Sequence, residues 1–85
     1  MARIIDGEQN NLIGGIVHEY RKKRKMSQRA LSEKLELLGV YICRGSVSRI
    51  EDYSRTVTDI ELFALIKVLQ IPPEEITERI LEKIN

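Results

Sequence analysis

The sequence predicts an all-α domain of five short, crossed helices, and three observations carry that reading. Apolar residues recur at helical spacing in successive segments, glycine or proline punctuates the intervals, and no run alternates apolar and polar residues long enough to make a strand. The short links imply a compact bundle rather than a long up-and-down one. At 85 residues, 42% of them apolar, the chain is one domain's worth. With two prolines and no low-complexity tract, it is able to bury a core.

Nothing in the first ten residues is periodic, so 1–10 reads as a flexible arm and 11–85 as the domain. Ile13, Ile16, Val17 and Tyr20 then fall at i, i+3, i+4 and i+7, one face of a first helix over about 11–24. Gly14 and Gly15 weaken its first turn, which implies that at least one of them admits a close backbone neighbour; the plainer alternative is a frayed start. The basic run Arg21, Lys22, Lys23, Arg24, Lys25 lies where cations favour a helix C-terminus. Ser27 is a good N-cap, Leu31, Leu35 and Leu38 repeat at i, i+4 and i+7, and Gly39 supplies the stop, so a second helix spans about 27–38. From Arg44 to Glu51 only Val47 and Ile50 are apolar, and they point one way. Gly45, Ser48 and Arg49 point the other way, with Arg44 at the N-terminal end of this short third helix. Thr58 and Glu61 have the spacing of a capping box. The segment they open (Ile60, Leu62, Phe63, Ala64, Leu65, Ile66, Val68, Leu69) is apolar nearly all round, so the fourth helix is expected to be central and buried. Pro72 and Pro73 end it, and a fifth follows over about 74–84, with Glu74 and Glu75 at its positive end and Ile76, Ile80, Leu81 and Ile84 along one side.

Composition excludes several functions. Cys43 is the only cysteine and His18 the only histidine, which rules out a disulfide framework, a Cys/His zinc site and a two-cysteine redox motif within one chain. No acid pair, nucleophile with a base, glycine-rich phosphate loop or metal-ligand set stands at usable spacing. The chain is therefore not read as an enzyme, and no cofactor, metal or small-molecule substrate is expected. No segment approaches the ~20 apolar residues of a membrane span and the N-terminus lacks a signal-peptide plan, so a cytoplasmic location and no membrane partner are expected. The net charge of +1 hides an asymmetry: 18–55 carries ten Lys/Arg against five Asp/Glu, and 56–85 three against six. A basic middle is what a polyphosphate partner attracts, although such runs are as often solvated helix faces.

Two helices joined by a tight glycine-bearing turn, the second carrying Arg44, Ser48 and Arg49 outward, make a helix-turn-helix by pattern. Further marks are Ile13-Gly14, Arg21 four residues after Val17, Met26-Ser27-Gln28, Leu31, Gly39, the run Val47-Ser48-Arg49-Ile50-Glu51, and an apolar helix closing on Leu69. In order and spacing, over about 13–76, they resemble the phage-repressor family of helix-turn-helix DNA-binding proteins, the Cro and lambda repressor type also called Xre. Arg55, Val57, Thr58, Asp59, Glu61 and Leu62 are similar to the Arg-x-Val-Thr-Asp-x-Glu-Leu variant of some bacterial members, which also have the longer link before the third helix. The resemblance implies a lambda-repressor-like domain with double-stranded DNA as its partner.

The resemblance also implies roles. In the family the first two and the sixth residues of the third helix read bases; here they are Arg44, Gly45 and Arg49, with Ser48 a secondary base contact and Ser46 a secondary contact on the phosphate side. Arginine's planar fork suits guanine O6 and N7, so G·C pairs are expected opposite Arg44 and Arg49. Gln28 matches a position that binds backbone phosphate, helped by the second helix's N-terminus, and Arg29, Ser54, Arg55 and Thr56 are further expected phosphate contacts. Arg21 and Glu51 match a partly buried salt bridge between the first and third helices, assigned to structure. The basic run at 22–25 either adds long-range attraction or merely suits a helix end. Three departures stand out. Cys43 occupies a cap position where Ser or Thr is expected. Tyr53 replaces the glycine that commonly ends the third helix, and because tyrosine disfavours positive φ, the helix is expected to run on or the loop to differ. Ser32 replaces an alanine and is small enough to pack.

The expected function is a sequence-specific transcription regulator, in the first instance a repressor, acting as a homodimer on half-sites one helical turn, about 34–36 Å, apart. One reading helix contacts too few bases for specificity against a genome. Ile76, Ile80, Leu81 and Ile84 are the candidate dimer interface, or else they pack on the domain's own core. The alternative is an antitoxin or protein-binding adaptor of the same fold, its protein partner docking on the acidic C-terminal third.

Overall fold

The computed structural model describes residues 9–84, and the helical spacing of the apolar residues is realised in five helices: α1 (Gly14–Lys23), α2 (Gln28–Leu37), α3 (Arg44–Glu51), α4 (Asp59–Leu69) and α5 (Pro73–Ile84). No strand occurs among the described residues, and no helix is long and apolar enough to cross a membrane. The two helices α2 and α3, joined through Gly39 and Ile42, pack on each other; α1 packs on α3 and α4, and α4 on α1 and α2. Val17, Leu31, Leu35, Ile42, Val47, Ile50, Leu65 and Leu69 fill the space between them and are almost fully buried. Burying a side chain of this size stabilises the fold by about 1.5–3 kcal/mol, which is how so short a chain holds together without a disulfide. Most of the arm expected at 1–10 lies outside the described residues; its last member, Asn10, is anchored by its N–H to the Tyr53 carbonyl at 2.8 Å.

The helix starts follow side-chain chemistry. Ser27 Oγ accepts the Ala30 N–H at 3.0 Å. At α4 the box closes: Thr58 Oγ1 accepts the Glu61 N–H at 3.2 Å and Glu61 Oε1 accepts the Thr58 N–H at 3.0 Å. The start of α1 differs from its expected position. Buried Asn11 stands outside the helix, its Oδ1 accepting the N–H groups of Ile13 and Gly14 at 3.0 and 2.8 Å. Its Nδ2 donates to the carbonyls of Ile50 and Arg55 at 3.1 and 2.8 Å, so one amide ties the start of α1 to the end of α3 and the loop beyond. Gly14 is then pressed against α3: a Cβ there would collide with the Ile50 carbonyl oxygen.

Four helices stop in the same way. Lys25, Gly39, Tyr53 and Gln70 take left-handed conformations with φ of 59°, 80°, 68° and 54°. In each case the following N–H turns back to a helix carbonyl: Met26 to Arg21, Val40 to Leu35, Ser54 to Arg49 and Ile71 to Ile66, at 2.9–3.1 Å. Three of these following residues, Met26, Val40 and Ile71, fold their apolar side chains onto the core, which is the usual companion of this stop. At Tyr53, where either a longer helix or a different loop is expected, the helix does not run on: it ends at Glu51 and tyrosine itself adopts the positive φ. Its hydroxyl, which accepts the Gly15 N–H at 2.9 Å, and its ring beneath the Lys83 ammonium compensate the steric cost.

One further expectation changes, and one of two alternatives is met in part. The fourth helix is not buried all round: Ala64, Leu65 and Leu69 face the core, but Ile60 and Phe63 are 68% and 67% exposed, because nothing among the described residues packs on that side. In α5, Ile76 is buried in the domain's own core and Ile80 packs against it, so of the four candidate interface residues only Leu81 is exposed, and the Ile84 side chain lies outside the described residues. Polar contacts lock α5 onto α1: the Tyr20 hydroxyl donates to Glu75, and Arg79 forks onto Glu19 at 3.0 and 2.8 Å. Gly14→Ala is expected to lower stability by about 1–3 kcal/mol, since the atom it meets is backbone that cannot rotate away; urea denaturation measures the loss.

Candidate nucleic-acid interface

The alternation that defines α3 in sequence divides it in space. Val47 and Ile50 are fully buried, while Arg44, Gly45, Ser48 and Arg49 are exposed on the opposite side. Arg44 leaves the first turn with no ion pair among the described residues. Arg49, one turn on, donates from Nη2 to Ser46 Oγ at 3.0 Å, a contact that steadies the guanidinium along the helix without burying it. Cys43 has the extended backbone of an N-cap but makes no side-chain cap bond. Its Sγ lies 3.4 Å from Ser46 Oγ, and that hydroxyl, with the helix-start N–H groups of Ser46 and Gly45, holds the thiol below its usual pKa. Ser46, half-buried, is therefore a brace for Arg49 and Cys43 as well as a neighbour of the outer face.

Behind this face the helix is clamped through its last residue. Glu51 accepts from Arg21 Nε at 2.6 Å and Nη2 at 3.1 Å, with both side chains only 7% exposed. Arg21 Nη1 donates in addition to the Met26 carbonyl at 2.7 Å. Glu51 Oε1 also takes the Gln28 amide at 3.2 Å and lies 3.0 Å from His18 Nδ1. Burial by itself would raise the Glu51 pKa, but the hydrogen bonds from Arg21, His18 and Gln28 outweigh it and hold the carboxyl below its ordinary value. One carboxylate thus fixes α3 to both α1 and α2. His18, marked in the sequence only as the sole histidine, is part of this cluster; its spacing of three from Arg21 puts the two on one side of α1.

The expected phosphate contacts fall into two groups. Gln28 sits at the N-terminus of α2 with one amide N–H on Glu51 and the rest of its amide unengaged among the described residues; Arg29 beside it is exposed and has no ion pair there. In the loop after α3, Ser54 donates to Asp52 Oδ1 at 2.6 Å, and Thr56 is exposed. Arg55 is not free: its fork grips Glu61 at 3.0 and 2.9 Å, each partner pulling the other's pKa further toward its charged form. The sequence reading missed this pair because it spans the start of α4 rather than one helical face. No group of three His, Cys, Asp or Glu side chains that could hold a metal ion occurs among the described residues.

A short outward-facing polar helix, fixed to its predecessor across a tight turn and carrying exposed guanidinium groups, defines a helix-turn-helix DNA-binding domain. The family described as helix-turn-helix matches residues 17–76, more than two thirds of the chain, and the protein belongs to it, within the Cro/C1 repressor type expected from the sequence. This is a family of DNA-binding transcription regulators and not of enzymes. No curated protein matches the chain.

Because Arg21 is buried, Glu51→Gln should cost about 3 kcal/mol through an uncompensated charge. The sign with pH follows from the lowered carboxyl: the stabilisation is present above the ordinary value of 4.5 and is lost as pH falls through the lower folded value. The stability gap between wild type and Glu51→Gln in urea should therefore close in acid, as pH falls through the lowered folded value.

Proposed function

We propose that the protein is a sequence-specific repressor that binds operator DNA as a homodimer, each protomer laying α3 in a major groove. The observation that supports this most is the open outer face of α3, with Arg44 and Arg49 exposed on a helix whose other side is clamped by Glu51. A major groove about 12 Å wide admits one such helix, and the two forks suit guanine edges, each bidentate contact adding roughly 1–3 kcal/mol of discrimination. Gly45 lets the backbone come close to the groove wall, and Ser48 is a short secondary reader. Gln28, held by Glu51, offers its second amide hydrogen to a phosphate, and Arg29, Ser54 and Thr56 flank the same strand backbones. Arg55, gripped by Glu61, contributes chiefly by holding the loop. Two helices one duplex turn apart supply the specificity that a single one lacks.

Selection from a random duplex library with a salt titration tests the reading: a regulator enriches particular sequences with a steep salt slope, whereas a protein whose main partner is another protein enriches none. Arg49→Ala should relax preference at one base pair per half-site, by a factor of roughly 5 to 150. Unchanged selectivity in competition binding would count against α3 as the reader. Gln28→Ala should weaken binding to all sequences alike, a pattern read by comparing selected and scrambled duplexes at one salt concentration.

A further inference from the structure

Among the described residues the outer face of α4 is unpartnered, and its charges say what fits it. Asp59, Ile60, Phe63 and Lys67 are all exposed and, at about 100° per residue, lie within roughly a third of a turn of one another. Phe63 is at the centre: Asp59 precedes it by four residues and Lys67 follows it by four, about 6 Å along the axis on either side. Lys67 has no ion pair among the described residues, and Asp59 makes only a local contact from Oδ1 to the Ile60 N–H. A face with an acid at one end, a base at the other and an aromatic midway is self-complementary under a two-fold axis. We propose that this face is the seam of a homodimer, two copies of α4 packing antiparallel with Phe63 against Phe63 and each Asp59 against the other copy's Lys67. Because α4 packs mainly on α1 and α2, the seam leaves the outer face of α3 open.

This assignment deepens the DNA reading by naming the surface that supplies its dimer, and it replaces α5, whose Ile76 is committed to the core. One eleven-residue helix offers less than the roughly 800 Å² per partner of a standard stable interface, so free protomers should associate only in the micromolar range or weaker.

Sedimentation equilibrium without DNA, over protein concentrations from about 10 μM to 1 mM, reads the seam independently of any operator. Wild type should dimerise and Phe63→Glu should remain monomeric, with far-UV circular dichroism unchanged. Asp59→Lys and Lys67→Glu should each weaken association by about tenfold, because both pairs become repulsive. Their equimolar mixture should recover nearly wild-type association, because every pair in the mixed dimer is again opposite in sign. A wild type that stays monomeric, a dimeric Phe63→Glu, or a mixture no stronger than its components would overturn the proposal. Any of these results would leave the library selection to stand or fall separately.

Discussion

The placement of α3 depends on one buried carboxylate. Glu51 is the last residue of α3, where the helix dipole disfavours negative charge, and it lies in a region from which water is largely excluded. It is tolerated there because Arg21, Gln28 and His18 converge on it from two other helices. An apolar cluster of similar volume would hold the helices together about as well. What the charged cluster adds is angle: hydrogen bonds of fixed length from α1 and α2 leave α3 one way to lie, and its outward residues inherit that direction.

The distribution of basic residues qualifies the simple arithmetic of charge. The middle of the chain is rich in Lys and Arg, yet many of these groups serve the fold. Arg21 is buried, Arg55 is forked onto Glu61, and Arg24 donates to the carbonyls of Leu69 and Gln70 at 2.8 and 3.0 Å, closing the end of α4. Lys23 stands over the Tyr20 ring. The cations left to solvent on the helix-turn-helix are fewer, Arg29, Lys34, Arg44 and Arg49, and all but Lys34 occupy the start of α2 and the outside of α3. The field presented to a polyanion is therefore shaped by position more than by total.

Much of this was legible in the sequence because it rests on local rules. Periodicity gave five helices, α3 was bounded correctly at both ends, and the Ser27 and Thr58 caps follow from side-chain chemistry within three residues. What was hidden depends on distant partners. Asn11 reads as the first residue of a helix until its amide is seen to bridge Ile50 and Arg55, about forty positions away. A helix apolar all round reads as buried, but hydropathy cannot say which sides have neighbours, and Ile60 and Phe63 have none among the described residues. At the site, the spacing of Arg44, Ser48 and Arg49 sufficed to place them outward. The convergence of His18 and Gln28 on Glu51 needed three helices in position first.

The left-handed helix stops carry a consequence for how the chain tolerates change. Only Gly39 takes this conformation without steric penalty; Lys25, Tyr53 and Gln70 each bear a side chain in a region that disfavours one. Glycine at Lys25 or Gln70 would relieve that crowding and at the same time enlarge the freedom of the denatured chain, two effects of about 1 kcal/mol and opposite sign. Those two sites should drift freely among long polar residues. Tyr53 is held by its hydroxyl on the Gly15 N–H and by its ring beneath Lys83, and there the drift should stop.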